Sequence, residues 1–126
     1  MEKSSNKLVD LSVAFAVEIL NLVKYLKEQR ETIISNQIGR AGTSIGANIH
    51  EAQYAHGKAD FISKLQIALK EANETSYWLL LLSKTNYICK PFMVYSYTIM
   101  VYCFVKSKTK KSIFLSIYRF FASCKV

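Results

Sequence analysis

Residues Gln37 to Tyr54 read QIGRAGTSIGANIHEAQY, and the fold turns on how this stretch is built. At about 100° per residue, Ile38, Ala41, Ile45, Ile49 and Ala52 fall on one apolar stripe. Gln37, Arg40, Ser44, Asn48 and Glu51 fall on a polar stripe beside it, and Gly39, Gly42 and Gly46 share a third side. A glycine inside a helix costs roughly 1 kcal/mol against alanine, so three on one side predict the close approach of another backbone. The stretch reads as a helix with neighbours on more than one side.

The polar stripe admits two uses. Its spacing lets Arg40, Ser44, Asn48 and Glu51 bond to one another or to a facing helix, a network at the border of the core. The same residues serve equally as contacts for a ligand or a partner subunit. No nucleophile is paired with a base here.

Outward from this helix, the chain supplies its neighbours. Leu8, Leu11, Phe15, Ile19, Leu22, Val23 and Leu26 recur in steps of three and four, which predicts an amphipathic helix from Leu8 to about Lys27, with Glu18, Lys24, Lys27 and Glu28 in water. The charged link Glu28 to Thr32 is short, as between antiparallel neighbours. The second helix is expected to start near Thr32 and to end between Ala55 and Gly57. A third helix is expected from Lys58 to Lys84, with Gly57 and Asp60 as half of a capping box. Phe61, Leu65, Ala68, Ala72, Thr75, Leu79 and Leu82 form its heptad-like seam. Ile62, Ile67, Leu69, Trp78, Leu80 and Leu81 add apolar surface beyond that seam, and such surplus often marks a subunit interface. Lys70 and Glu74 are spaced as an i, i+4 ion pair.

The run RAGTSIGANIHEAQ, followed by DFISKLQIALKEANETSYWLLLL, resembles the small four-helix-bundle proteins encoded by intervening sequences within 23S ribosomal RNA genes. Arg40, Ser44-Ile45, Asn48-Ile49, Glu51, Asp60-Phe61, Ile67-Ala68 and Glu74 carry the likeness, which spans about residues 8 to 88. The resemblance implies an antiparallel up-down-up-down bundle that assembles as a homo-oligomeric ring, a pentamer. The family is also similar to the accessory proteins of diversity-generating retroelements, basic pentamers that engage nucleic acid and a reverse transcriptase. It implies no enzymatic activity.

Composition agrees with one all-α domain. The 126 residues are 51% hydrophobic with four Gly and one Pro, which excludes a disordered chain and a turn-rich β-sandwich. The formal net charge of +8 is unevenly spread: residues 1–88 carry ten Lys/Arg and nine Asp/Glu, residues 89–126 seven and none. Cys89, Cys103 and Cys124 all lie in the second part, without C-x-x-C spacing, so reduced thiols in a cytoplasmic protein are expected. The polar N-terminus lacks the apolar core of a signal peptide. His50 and His56 are six apart, unlike the i, i+4 pair of a helical zinc site, so neither a metal nor a cofactor is expected.

Residues 1–88 therefore read as the three-helix core of the bundle, and residues 89–126 as an atypical basic, apolar segment in place of a Glu- and Lys-rich fourth helix. Phe92 to Val105 is fourteen uncharged residues, ten of them β-branched or aromatic, short of the roughly 20 that a membrane span needs. Three readings stay open: a divergent, buried fourth helix; a hydrophobic anchor at a membrane surface; or a reading-frame shift near codon 89. The leading functional expectation is a non-enzymatic oligomeric adaptor associated with RNA, DNA or a nucleic-acid enzyme. Its subunit contacts or polar network draw on Gln37, Arg40, Ser44, Asn48, Glu51, Glu71, Glu74 and Trp78, and its nucleic-acid contacts on Lys106, Lys108, Lys110 and Lys111. The alternatives are a peripheral membrane protein acting through residues 89–126, and a helical-bundle enzyme using the carboxylates Glu51, Glu71 and Glu74.

Overall fold

The computed structural model describes residues 6–88, which form three α-helices: α1 (Lys7–Glu28), α2 (Ile33–Ala52) and α3 (Lys58–Lys84). No strand occurs among the described residues, so the chain is all-α over this range. The expectations placed on Cys89, Cys103, Cys124, Phe92 to Val105 and the Lys106 to Lys111 cluster lie outside the described residues, and so does the expectation of a fourth helix.

The helix ends follow from local donors and acceptors. Asn6 caps α1 by accepting from the Leu8 N–H at 3.2 Å, and its side-chain amide donates to Gln53 Oε1 at 2.8 Å, tying the start of α1 to the end of α2. At the start of α2, Thr32 occupies the cap position but makes no side-chain cap bond. Glu31 does the work instead. Its carboxylate accepts from the N–H groups of Ile33, Ile34 and Ser35 at 3.1, 3.0 and 2.8 Å, meeting three of the four donors that a helix start leaves open. Gly57 makes no side-chain cap, and Asp60 reaches back to the His56 N–H rather than to that of Gly57, so the expected half capping box is displaced by one residue.

Two helices end on residues in the left-handed region, Arg30 (φ 61°) and Asn86 (φ 62°). After α1 the Glu31 N–H bonds back to the Leu26 carbonyl, and after α3 the Tyr87 N–H bonds back to that of Leu82, the pattern of a Schellman motif. Asparagine tolerates this conformation well and arginine less so. The helix α2 ends at Ala52, earlier than the expected Ala55 to Gly57: the N–H groups of Gln53, Tyr54 and Ala55 bond to carbonyls three residues back, the tighter pattern of a closing turn.

α2 is the central element. α1 and α3 each pack along it, and they approach one another only marginally. The apolar stripe of α2 (Ile38, Ala41, Ile45, Ile49, Ala52) is buried as the periodicity requires, against Leu8, Phe15, Ile19, Leu22 and Leu26 of α1 and Leu65, Ala68, Ala72, Leu79 and Leu82 of α3. Phe61, placed in the α3 seam by its spacing, is instead 39% exposed. It lies in the first turn, where α3 has run past the last core residue of α2.

The glycine side of α2 meets α1. A Cβ built on Gly42 would lie 2.8 Å from both Cγ1 and Cγ2 of Ile19, and one on Gly39 would lie 3.2 Å from Val23 Cγ2. At Gly46 the neighbour is the Ser12 backbone carbonyl, at an ordinary 3.5 Å. Ser12 is itself buried, and its hydroxyl donates to the Val9 carbonyl of its own helix at 2.7 Å, so a small satisfied side chain faces a glycine where the backbones come nearest.

These distances separate two substitutions that look alike. Gly42→Ala is expected to destabilise by about 1–3 kcal/mol, because Ile19 is fully enclosed and stiff at χ1. Gly46→Ala is expected to be neutral or to stabilise by up to about 1 kcal/mol through helix propensity. Urea denaturation of both variants checks the contrast; equal losses would contradict the packing described.

Candidate interaction face on α2 and α3

The polar stripe of α2 turns toward α3. Arg40 Nη2 donates to Glu74 Oε1 at 3.2 Å and to Gln37 Oε1 at 3.4 Å, and Trp78 Nε1 donates to the same Glu74 oxygen at 3.3 Å. Further along, Lys64 Nζ meets Glu51 Oε2 at 2.6 Å. Glu74 thus pairs across the helices with Arg40, not within its helix with Lys70 as the spacing suggested. Ser44 and Asn48 turn inward on their own helix, donating to the carbonyls of Arg40 and Ser44 at 2.7 and 2.8 Å. Gln37, Arg40, Ser44 and Asn48 form a linked run with Glu74 and Trp78, while Glu51 pairs separately with Lys64.

Two of its members are set up differently from the rest. The Arg40 side chain remains 66% exposed while oriented by Glu74, so its guanidinium is both positioned and accessible. Glu71 sits one turn from Glu74, and its Oε2 is buried without a hydrogen-bond partner among the described residues. The antiparallel register set by the Arg40–Glu74 and Glu51–Lys64 pairs puts Glu71 level with Ser44. Glu51 is level with Lys64, seven residues from Glu71 along α3, or about 10 Å at 1.5 Å per residue. The three carboxylates of the enzyme alternative therefore do not converge on one point, Glu51 standing apart from Glu71 and Glu74.

Around these polar groups lie exposed apolar side chains that the sequence reading had not joined to the stripe. Tyr77, 54% exposed, packs edge-on against Trp78 at a ring-centroid distance of 5.0 Å. Ile33, 77% exposed at the start of α2, and Ile67, 40% exposed on α3, lie on the same side of the helix pair. Their signal was already present in the numbering: Ile33 falls on the wheel beside Arg40, and Ile67 is one helical week before Glu74. Leu69, Trp78, Leu80 and Leu81 are half-buried, while Ile62 is 39% exposed.

The Glu51 hydrogen bond and charge raise the Lys64 pKa above its ordinary value. A raised lysine contributes stability that is fully present below the ordinary lysine value and is lost as pH climbs through the folded value. Its exposure makes that contribution small. Among the described residues no three His, Cys, Asp or Glu side chains cluster as a metal site, and no helix is long and apolar enough to cross a membrane. His50 and His56 are both exposed.

The model of the family described as 23S rRNA-intervening sequence protein matches residues 4–94. The chain belongs to that family. It is also similar to a crystal structure of a protein of unknown function from the S23 ribosomal protein family of Bacteroides thetaiotaomicron, at 51% identity, with a TM-score of 0.78 over 81% of this chain and 99% of that one. None of the curated proteins matches. The family match takes in all three helices and the whole α2–α3 face.

Two substitutions distinguish what this face does for the folded monomer. Arg40→Ala is expected to lower stability by less than about 1 kcal/mol, as for an exposed ion pair. Glu71→Met, which keeps the volume and removes the unpartnered oxygen, is expected to leave stability unchanged or to raise it by up to about 2 kcal/mol. A larger loss than about 2 kcal/mol at Glu71, measured by urea denaturation, would contradict the geometry at that carboxylate.

Proposed function

We propose that the protein is a non-enzymatic, homo-oligomeric helical-bundle adaptor that presents a surface to RNA, DNA or a nucleic-acid enzyme in the cytoplasm. The observation that carries this reading is the α2–α3 face, where an exposed Arg40 held by Glu74 lies among Trp78, Tyr77, Ile33 and Ile67. Arginine, tryptophan and tyrosine are the residue types that dominate binding energy at protein interfaces. Because the polar groups there are engaged with one another, they orient a contact surface and leave no nucleophile and base poised for chemistry.

The bundle reading extends past the described helices. α1 and α3 sit diagonally across α2, as the first and third helices of an up-down-up-down bundle do. Tyr87 and Ile88 turn back after α3 and pack on the core. We infer that the family fold places a fourth helix along the trough between α1 and α3. In this chain the residues that follow are a divergent version of that helix, a hydrophobic anchor at a membrane surface or the product of a shifted frame, and the coding sequence around codon 89 tests the last of these.

The nucleic-acid part of the proposal rests on the description of the family, which ties its members to 23S rRNA intervening sequences, and on the seven Lys/Arg and no acid of residues 89–126. Assembly would repeat that positive charge around a ring, which favours a phosphate backbone. The purified 126-residue chain is expected to give a discrete oligomer by light scattering, a pentamer by family resemblance, and to bind a labelled RNA or DNA pool with affinity that falls steeply with salt. A monomer, or binding insensitive to salt, would contradict the proposal.

A further inference from the structure

The core stripe of α3 is Leu65, Ala68, Ala72, Leu79 and Leu82, and the opposite side of the helix carries a pattern that the packing does not use. Ser63, Gln66, Lys70, Asn73, Tyr77 and Lys84 recur in steps of three, four and seven, fall within about 80° of arc on the helical wheel, and are all exposed. From Ala59 to Lys84 no position in that arc is acidic. Among the described residues neither Lys70 nor Lys84 is ion-paired. The carboxylates of α3 lie outside the arc, with Glu74 at its border. Glu74 Oε1 is held by Arg40 and Trp78, and in the ion pair the arginine side chain is 66% exposed and the glutamate 32%, so the cation is the more open to solvent.

Cations, amides and an aromatic ring in one row, with no acid among them, match an unpaired nucleotide strand part by part. Lysine ammonium groups neutralise phosphates. The amides of Gln66 and Asn73 both donate and accept, as base edges and 2′-hydroxyls do. Tyr77 is 54% exposed and packs edge-on against Trp78 at 5.0 Å, so its ring is held in place while more than half of it stays open for a base to stack on. Lys70 and Lys84 are about 21 Å apart along the helix, the length of about six nucleotide steps of about 3.4 Å, with Tyr77 midway. A duplex keeps its base faces stacked inside and out of reach of that ring.

We propose that the outward face of α3 is a track for single-stranded RNA, with Lys70 and Lys84 on phosphates and Tyr77 stacked on a base between them. This rests on the nucleic-acid reading above and gives that reading a site on the described helices, apart from the lysines of residues 89–126.

Fluorescence anisotropy of the full-length chain with a short labelled oligouridine, across a salt series, tests the track. Lys70→Gln combined with Lys84→Gln is expected to weaken binding about tenfold and to lower the salt slope by about 1.4, as the loss of two phosphate contacts on a single strand requires. Tyr77→Ala is expected to weaken it about tenfold with the salt slope unchanged, and Tyr77→Phe to restore it. The same charge loss on α1, Lys24→Gln combined with Lys27→Gln, is expected to leave affinity nearly unchanged. The deoxy strand is expected to bind more weakly, since it lacks the 2′-hydroxyls. Circular dichroism and light scattering check that every variant keeps the wild-type fold and mass. Wild-type affinity in the α3 double variant or in Tyr77→Ala, an equal loss in the α1 variant, or a loss of binding that follows a fall in mass would overturn the track and leave the nucleic-acid reading in place. So would equal affinity for the deoxy strand, or an equal effect of Tyr77→Ala on the oligouridine paired with its complement. A wild-type chain that binds neither RNA nor DNA would overturn both.

Discussion

The contact on which the structure depends is the approach of α1 to α2 across Gly39, Gly42 and Gly46. Ile19 of α1 occupies the space that a side chain at Gly42 would take, Val23 crowds that of Gly39, and Ser12 stands at ordinary contact distance from that of Gly46. Close packing there fixes the rotation of α2, because its apolar stripe must then face the core and its polar stripe must face α3. The ion pairs with α3 follow from that rotation. Glycine's cost in helix propensity is therefore offset by packing that alanine could not reach at Gly42.

Much of this was legible in the sequence, and the reasons are specific. The stripes of α2, the core positions of α1 and six of the seven seam residues of α3 follow from periodicity alone, since burial repeats with the helix turn. The third glycine side correctly announced a close neighbour. Periodicity could not show that Glu31, one residue ahead of Thr32, supplies the cap of α2, because a glutamate reaching three N–H groups looks in sequence like any solvated charge. Nor could it choose between Lys70 and Arg40 as the partner of Glu74, which depends on the register between two helices. Phe61 was misplaced for a related reason: the seam continues in sequence after the facing helix has ended.

The candidate face was half legible. The polar stripe could be read as a network or as a contact surface, and the geometry gives it features of both, with Ser44 and Asn48 bonded along their own helix and Arg40 oriented but open. The exposed Ile33, Ile67 and Tyr77 join it only in three dimensions. The family to which the chain belongs matches residues 4–94, so the whole of this face lies within the matched range.

Among the described helices α2 is the element packed on both flanks, with α1 and α3 each packed on one. Hydrogen–deuterium exchange on the full-length chain measures this directly, since local opening is most costly where a helix is enclosed. The amides of Ile38 to Ile49 are expected to be the slowest in the protein, ahead of those of α1 and α3. If those amides exchange as fast as the middle of α1 or α3, α2 is not the centre of the fold.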